Sequence, residues 1–418
     1  MKFNRDNLIL WVIAISLLFP LFIQISGGIY SNPEVMTDSG GVLNLLPLPI
    51  SIGACFLGIL VLARNCRQAM PAVLFIAVFA ALMLGSALLA TTSHTIDKRK
   101  VLIAIQFLLP TFGIVLGQLV SDRKDIIPRA FMGVLLLIVP FQLLAGWWQK
   151  MLTLTHNLYV FSIYQHFQFV PVIFVLAYCL VMVHLWTEHK NSLRFLTVVM
   201  GLYVIASVSF LAIGLYSGFV LIFFLRKVSQ LKTGRLTGVT VFAAGIVVAV
   251  LVIGLIYTLA QKAPSIIGDE GQFLGKFQAL ANGKVPLNVQ HRLGDWTLYM
   301  DWIGESKRTL LFGHAEPPPR EVKTSAHNWY LDFSYNFGLI ALLPLLVLIS
   351  YTTWLNFRFR KVLPDSTVWL AIFVAFIVLV DSNFKVTLRQ PYPGIFAYFL
   401  WGLLLTRLRT HAKTGSAD

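Results

Sequence analysis

Ala72–Ala90, AVLFIAVFAALMLGSALLA, contains no charged residue and no proline. About 20 apolar residues coiled as an α-helix cross the hydrocarbon core of a bilayer, so this stretch predicts a membrane span. Leu8–Ile25, LILWVIAISLLFPLFIQI, is a second uncharged run. Over 418 residues the chain is 57% hydrophobic and 12% charged, with a mean hydropathy of +0.76. Soluble domains carry roughly a quarter charged residues. The composition therefore predicts an all-α polytopic integral membrane protein.

Moving outward from that stretch, hydropathy gives about twelve transmembrane helices. They fall near 8–25, 43–62, 71–91, 101–120, 130–148, 168–186, 195–210, 212–225, 239–260, 330–352, 367–381 and 394–406. The uncharged run 195–225 reads either as a hairpin turning near Gly214 and Ser217 or as one tilted helix. The opening MKFNRDNLILWVIAISLLF has the basic-then-apolar order of a secretion signal. ISGG is a poor cleavage site, so this segment is expected to stay as the first span. Residues 1–260 then hold nine spans, 261–329 a long outer loop, 330–406 three more spans, and 407–418 a tail. Cys55, Cys66 and Cys179 lie within spans or at a span end and show neither metal-ligand spacing nor a disulfide framework.

A net charge of +15 would suggest nucleic acid in a soluble chain. Here it has a simpler source. With the N-terminus inside, ARNCRQ, SDRKDIIPR, RKVSQLKTGR, NFRFRK and similar segments collect about 19 of the 33 Lys and Arg residues, against about 6 in short outer loops. The others lie in 261–326, and long loops do not vote on orientation. Both termini are expected to be cytoplasmic, and no nucleic acid partner is expected.

Within the long loop, VQHRLGDWTLYMDWIGESK reads as a helix. Leu293, Trp296, Leu298, Met300, Trp302 and Ile303 make it amphipathic and suit it to a membrane interface. Cations recur on this side: Lys98, Arg99 and Lys100; Arg292; Lys307, Arg308, Arg320 and Lys323; Lys385 and Arg389. Gathered in a cavity, they would hold a phosphate or pyrophosphate, which arginine grips bidentately. Taken singly, each lysine is better explained by solvent or anionic headgroups. Arg292 is different, because a cation on a helix pressed against the membrane needs a partner.

KTSAHNWYLDF reads as a helix start, with Ser325 or Thr324 as N-cap and His327 in the first turn. The positive end of the helix dipole disfavours imidazolium and favours anions. A neutral histidine beside a phosphate-binding surface suits a general base for glycosyl or phosphoryl transfer. The position equally suits a ring that anchors the helix at headgroup level with Trp329 and Tyr330, and the sequence leaves both readings open. His314, in LLFGHAEPPP, is a second candidate beside a glycine turn. Asp381, at the outer end of the eleventh span, reads either as a group orienting a base or hydroxyl or as a helix-end partner of Lys385 or Arg389. There is no glycine-rich phosphate loop, no HExxH, no paired-cysteine set and no Asp-x-Asp pair. No metal and no cofactor are expected, which leaves arginines to meet the charge of a diphosphate.

HRLGDWTLYMDWIGESKRTLLFGHA followed by SAHNWYLDFSYNFGLIALLPLL resembles the core of the O-antigen ligase and polymerase superfamily. The resemblance rests on Arg292, Trp296, Phe312-Gly313, His327-Asn328, Leu331 and Gly338-Leu339-Ile340, and on the many-span layout with one large outer loop. It implies a GT-C-like, metal-independent glycosyltransferase of the bacterial inner membrane with a periplasmic active site. In the ligase branch, polysaccharide moves from undecaprenyl pyrophosphate to a sugar hydroxyl of lipid A–core oligosaccharide. The resemblance makes His327 the group that activates the hydroxyl, with Asn328 beside it in support, and Arg292 a pyrophosphate contact. It departs at SVSFLAIGLYSG, where Phe210 stands in place of an expected arginine, and Lys98, Arg99 or Arg389 are the cations left to compensate. An O-antigen polymerase and a protein O-oligosaccharyltransferase fit the same residues. A transporter of lipid-linked glycans is the rival of another class, although paired broken spans in two related halves are not evident.

Overall fold

A computed structural model of the protein describes residues 5–23, 48–63, 66–91, 98–120, 126–149, 169–207, 209–230, 282–285, 287–319 and 325–414, with 154, 158–159, 163–164 and 322 between them. Its helices are α1 (Arg5–Leu18), α2 (Ile50–Leu62), α3 (Cys66–Ala90), α4 (Lys98–Leu108), α5 (Phe112–Val120), α6 (Ile126–Trp148), α7 (Val170–Leu185), α8 (Lys190–Ala206) and α9 (Phe210–Gln230). Further along the chain come α10 (Leu287–Gly304), α11 (Lys307–Phe312), α12 (Trp329–Phe359), α13 (Asp365–Ala375) and α14 (Pro391–Thr414). Two antiparallel pairings of two residues each, Phe22–Ile23 with Leu48–Pro49 and Leu158–Tyr159 with Ile163–Tyr164, are the extended elements among the described residues.

Among the described residues, six helical stretches are long and apolar enough to cross a membrane: Arg67–Ala90, Arg99–Val120, Ile126–Trp148, Phe210–Lys227, Trp329–Phe359 and Asp365–Phe384. Asn7–Leu18, Ile50–Leu62 and Val170–Leu185 are shorter apolar helices. The chain is an α-helical protein of membrane-spanning composition. The expected span at 239–260 lies outside the described residues. The run 195–225 does fold as two helices, but the first ends at Ala206 instead of near Gly214 and Ser217, which are both inside α9. Ser207 ends α8 there by donating its hydroxyl to Val204 O at 2.8 Å.

The core is built on helices buried along most of their length. α7 contributes an almost continuous run from Val170 to Met182. α5 lies so close against α14 that a Cβ on Gly117 would stand 2.2 Å from Phe399 O, and one on Gly402 2.3 Å from Ile114 O. Such backbone contact is how helices gain packing where lipid supplies no hydrophobic drive. Cys55 and Cys179 are buried free thiols.

Tyr392 and Arg308, which the hydropathy reading puts in outer loops, meet the C-terminal ends of α1 and α3. Tyr392 donates to Leu18 O at 2.6 Å, and Arg308 to Leu89 O at 2.6 and 3.0 Å. Residues read as inside also meet one another: Arg129 pairs with Glu188 at 3.0 Å, and Arg407 reaches His184 at 3.3 Å. α10 and α11 thus sit against the end of the bundle where α12 begins.

Candidate functional site

α10 docks through a stripe spaced at three and four residues. Tyr299 and Ile303 are buried, Trp296 and Trp302 partly so, and they close a small second core with Ala326, Leu331 and Tyr335. The stripe differs from the one expected. Leu293 and Met300 are exposed, while Tyr299, not singled out in the sequence, is fully buried. The helix therefore packs its apolar face onto the start of α12, with ring centroids 5.4 Å apart between Tyr299 and Tyr335 and 5.6 Å between Trp302 and Tyr335.

The cap of α12 also differs from expectation. Asn328 is the N-cap, accepting from Tyr330 N at 2.9 Å and Leu331 N at 3.2 Å. Its side-chain oxygen satisfies amides that the helix itself leaves open. His327 consequently lies before the helix, not in its first turn. Its φ is +52°, and it is the one non-glycine with positive φ among the described residues. Ser325 serves the loop instead: its Oγ accepts the His327 N–H at 3.1 Å and donates to Asp332 Oδ2 at 2.6 Å. Asp332 Oδ1 takes the Ala326 N–H at 2.7 Å, and Trp296 Nε1 donates to Ala326 O at 3.1 Å.

Arg292 and the His327–Asn328 segment are tied to the same short turn, Ser382–Phe384. Arg292 Nη1 donates to Phe384 O at 2.6 Å, and Asn328 Nδ2 donates to Asn383 Oδ1 at 3.3 Å. The turn follows a π-helical stretch, Phe376–Asp381, that ends α13. Burial lowers the Arg292 guanidinium from its ordinary value, and the charges of Asp381 and Asp295 act the other way. Burial likewise pushes the Lys385 ammonium down, opposed by Asp381 at 3.4 Å and reinforced by Arg292. Arg292 and Lys385 thus share the electrostatics of one carboxylate, although the direct partner of Arg292 is a main-chain oxygen.

Of the other expected residues, Asp381 is buried and takes the helix-end role, holding Lys385 and accepting from Thr387. Arg389 does not reach Asp381; it pairs with Asp332 at 3.2 Å, its guanidinium 5.6 Å from the Phe107 ring centre. The Lys98 side chain lies outside the described residues, as do Arg320, Lys323 and Thr324, and Arg99 is exposed. Lys100 is 1% exposed and donates to His314 O. His314 stacks on Tyr335 at 4.2 Å, and its Nε2 sits 2.9 Å from Trp302 O, so it knits the loop to α10 and α12. Gly313, at the end of α11, and Gly338, inside α12, have φ of +78° and +71°. A Cβ on Gly338 would lie 2.2 Å from Leu311 O, and one on Gly313 2.6 Å from the Phe337 amide nitrogen. Both glycines therefore serve a backbone crossing that seats α11 against the kink of α12.

The sequence reading missed Asp332, Asn383 and Tyr299. Asp332 carried a signal, since a lone carboxylate inside an apolar span marks a buried partner. No family model matches the chain, and no curated protein matches it either.

Proposed function

We propose that the chain is an inner-membrane glycosyltransferase of bacterial envelopes, an O-antigen ligase with both termini in the cytoplasm. It would transfer polysaccharide from undecaprenyl pyrophosphate to a sugar hydroxyl of lipid A–core oligosaccharide on the periplasmic face. The observation that carries this reading is the shared anchorage of Arg292 and the His327–Asn328 segment on Phe384 and Asn383. The guanidinium that would bind the anion and the residue next to the proposed base are held by consecutive residues, and a direct displacement needs base and anion site close together.

In that step His327 accepts the proton of the acceptor hydroxyl, and the hydroxyl oxygen bonds to the anomeric carbon from the face opposite the leaving group. The bond from that carbon to the phosphate oxygen breaks with inversion, and undecaprenyl pyrophosphate leaves with the electron pair. Arg292 meets the charge that builds on the departing pyrophosphate, a contribution largest where water is excluded. Lys385 supplies a second positive charge beside it, so the charge of the leaving group is met by side chains and the step uses no metal.

The test is a reconstitution in liposomes with donor lipid and either lipid A–core or a second donor lipid as acceptor. We expect a covalently joined product with lipid A–core, and loss of about 100-fold or more in rate in His327→Ala and in Arg292→Ala without loss of membrane insertion. Product only with the second donor lipid would make the chain a polymerase. Translocation without any joined product would make it a transporter. Parental rates in His327→Ala would remove the base.

A further inference from the structure

We infer that Asp332 is a positioning residue for His327, holding the loop that carries the imidazole through Ser325 and Ala326. The inference rests on the function proposed above, and deepens it by naming what sets the direction of the base. His327 has φ +52°, a left-handed conformation that β-carbon sterics disfavour in a non-glycine residue. Such a conformation persists only where its surroundings over-determine it, and these places cluster at functional sites.

Here the surroundings are explicit. The Asp332 carboxylate accepts from Ser325 Oγ at 2.6 Å and from Ala326 N at 2.7 Å. Ser325 Oγ passes the hold to His327 by accepting its N–H at 3.1 Å. Asp332 sits one turn inside α12 and is 1% exposed, so water offers these donors no replacement. Arg389 donates to the same carboxylate oxygen as Ser325, at 3.2 Å. The carboxylate thus keeps its charge matched while its two oxygens face the loop. A buried carboxylate with this set of donors does more than close an ion pair: every bond except the one from Arg389 leads to the two residues before His327.

A residue that only stabilises the fold would lower the yield of folded protein and leave turnover of the survivors unchanged. A positioning residue changes turnover itself. The test compares Ser325→Ala, Ser325→Thr, Asp332→Asn and the parent in detergent, with two readouts. The first is the rate at which diethyl pyrocarbonate modifies His327, followed at the peptide level by mass spectrometry with the other histidines as internal standards. This readout needs no catalytic activity. The second is kcat and KM for the donor in the ligation assay.

We expect Asp332→Asn and Ser325→Ala to change the modification rate of His327 alone. We also expect kcat to fall about 100-fold with KM for the donor held within about twofold, and Ser325→Thr, which keeps the hydroxyl, to restore both. An unchanged modification rate in Asp332→Asn and Ser325→Ala would overturn the inference whether or not the chain ligates. A changed rate in these variants, with a parent protein that transfers no polysaccharide, would keep the positioning and sink the function. A raised KM with parental kcat would also overturn it, because Asp332 would then be serving the donor site.

Discussion

The α5–α14 interface and the start of α12 answer opposite demands within one bundle. Between α5 and α14 the contact is backbone on backbone, made possible by Gly117 and Gly402, with aliphatic and aromatic side chains around them. At the start of α12, within a helix of equally apolar composition, sit Asp332, Ser334 and Asn336, all buried. Asn336 Nδ2 donates back to Asp332 O at 2.7 Å, while Asp332 itself reaches out to Ser325, Ala326 and Arg389. The first region achieves rigidity by removing side chains. The second accepts the desolvation of charged groups, which is worthwhile only when each has a well-placed partner. The difference teaches that position in an apolar helix does not decide a residue's role; what decides it is whether the neighbouring chain offers donors.

That comparison can be broken where the two demands meet. The largest expected effect is at Gly338, where positive φ and backbone contact coincide. Gly338→Ala should destabilise the protein by about 3 kcal/mol or more, combining left-handed strain with a clash against Leu311 O. Thermal unfolding in detergent checks this, with Gly218→Ala as the matched control. Nothing stands within 4 Å of a Cβ on Gly218, so that variant should shift stability by no more than about 1 kcal/mol, toward the stable side, in the interior of α9. Equal shifts in the two variants would mean that the crossing of α11 over α12 is not close-packed.

A smaller effect is expected at the cap. Asn328→Ala removes the acceptor of the Tyr330 and Leu331 amides and should cost about 1 kcal/mol, while Asn328→Asp should recover most of it. Both variants lose or alter the bond to Asn383, so transfer should fall in each even where stability returns. A variant that regains stability and full activity together would separate the cap from the site.

Much of the helical layout was legible because hydropathy and bilayer thickness leave few choices. α7 and α12 begin close to where hydropathy puts them, and α10 lies close to the helix read from its amphipathic pattern. The end of α8 was less legible, since Ser207, where it stops, and Gly214 are both residue types that suit a turn. At the site, the sequence nominates His327 by residue type and an expected first-turn place that the structure moves to before the helix, and Arg292 as a cation on an amphipathic helix. The carboxylates were harder. Asp381 and Asp332 both have a cation within reach, and sequence spacing favours the local partner; Asp381 does take Lys385, four residues on. Arg389 instead finds Asp332, 57 residues away, a pairing set by how α12 meets the segment before α14. No local pattern encodes it. The N-cap was misplaced for a related reason: Ser325 is a good cap by type, but Asp332 engages its hydroxyl first.

The central claim is that Arg292 and His327 work as one unit, and a double-substitution cycle in single-turnover ligation tests it most directly. We predict that the variant carrying both His327→Ala and Arg292→Ala reacts within about threefold of the slower single variant, since groups acting together on one step lose most of their effect when either is removed. If the two losses multiply in full, the guanidinium and the imidazole act independently, and the shared anchorage on Asn383 and Phe384 has no catalytic meaning.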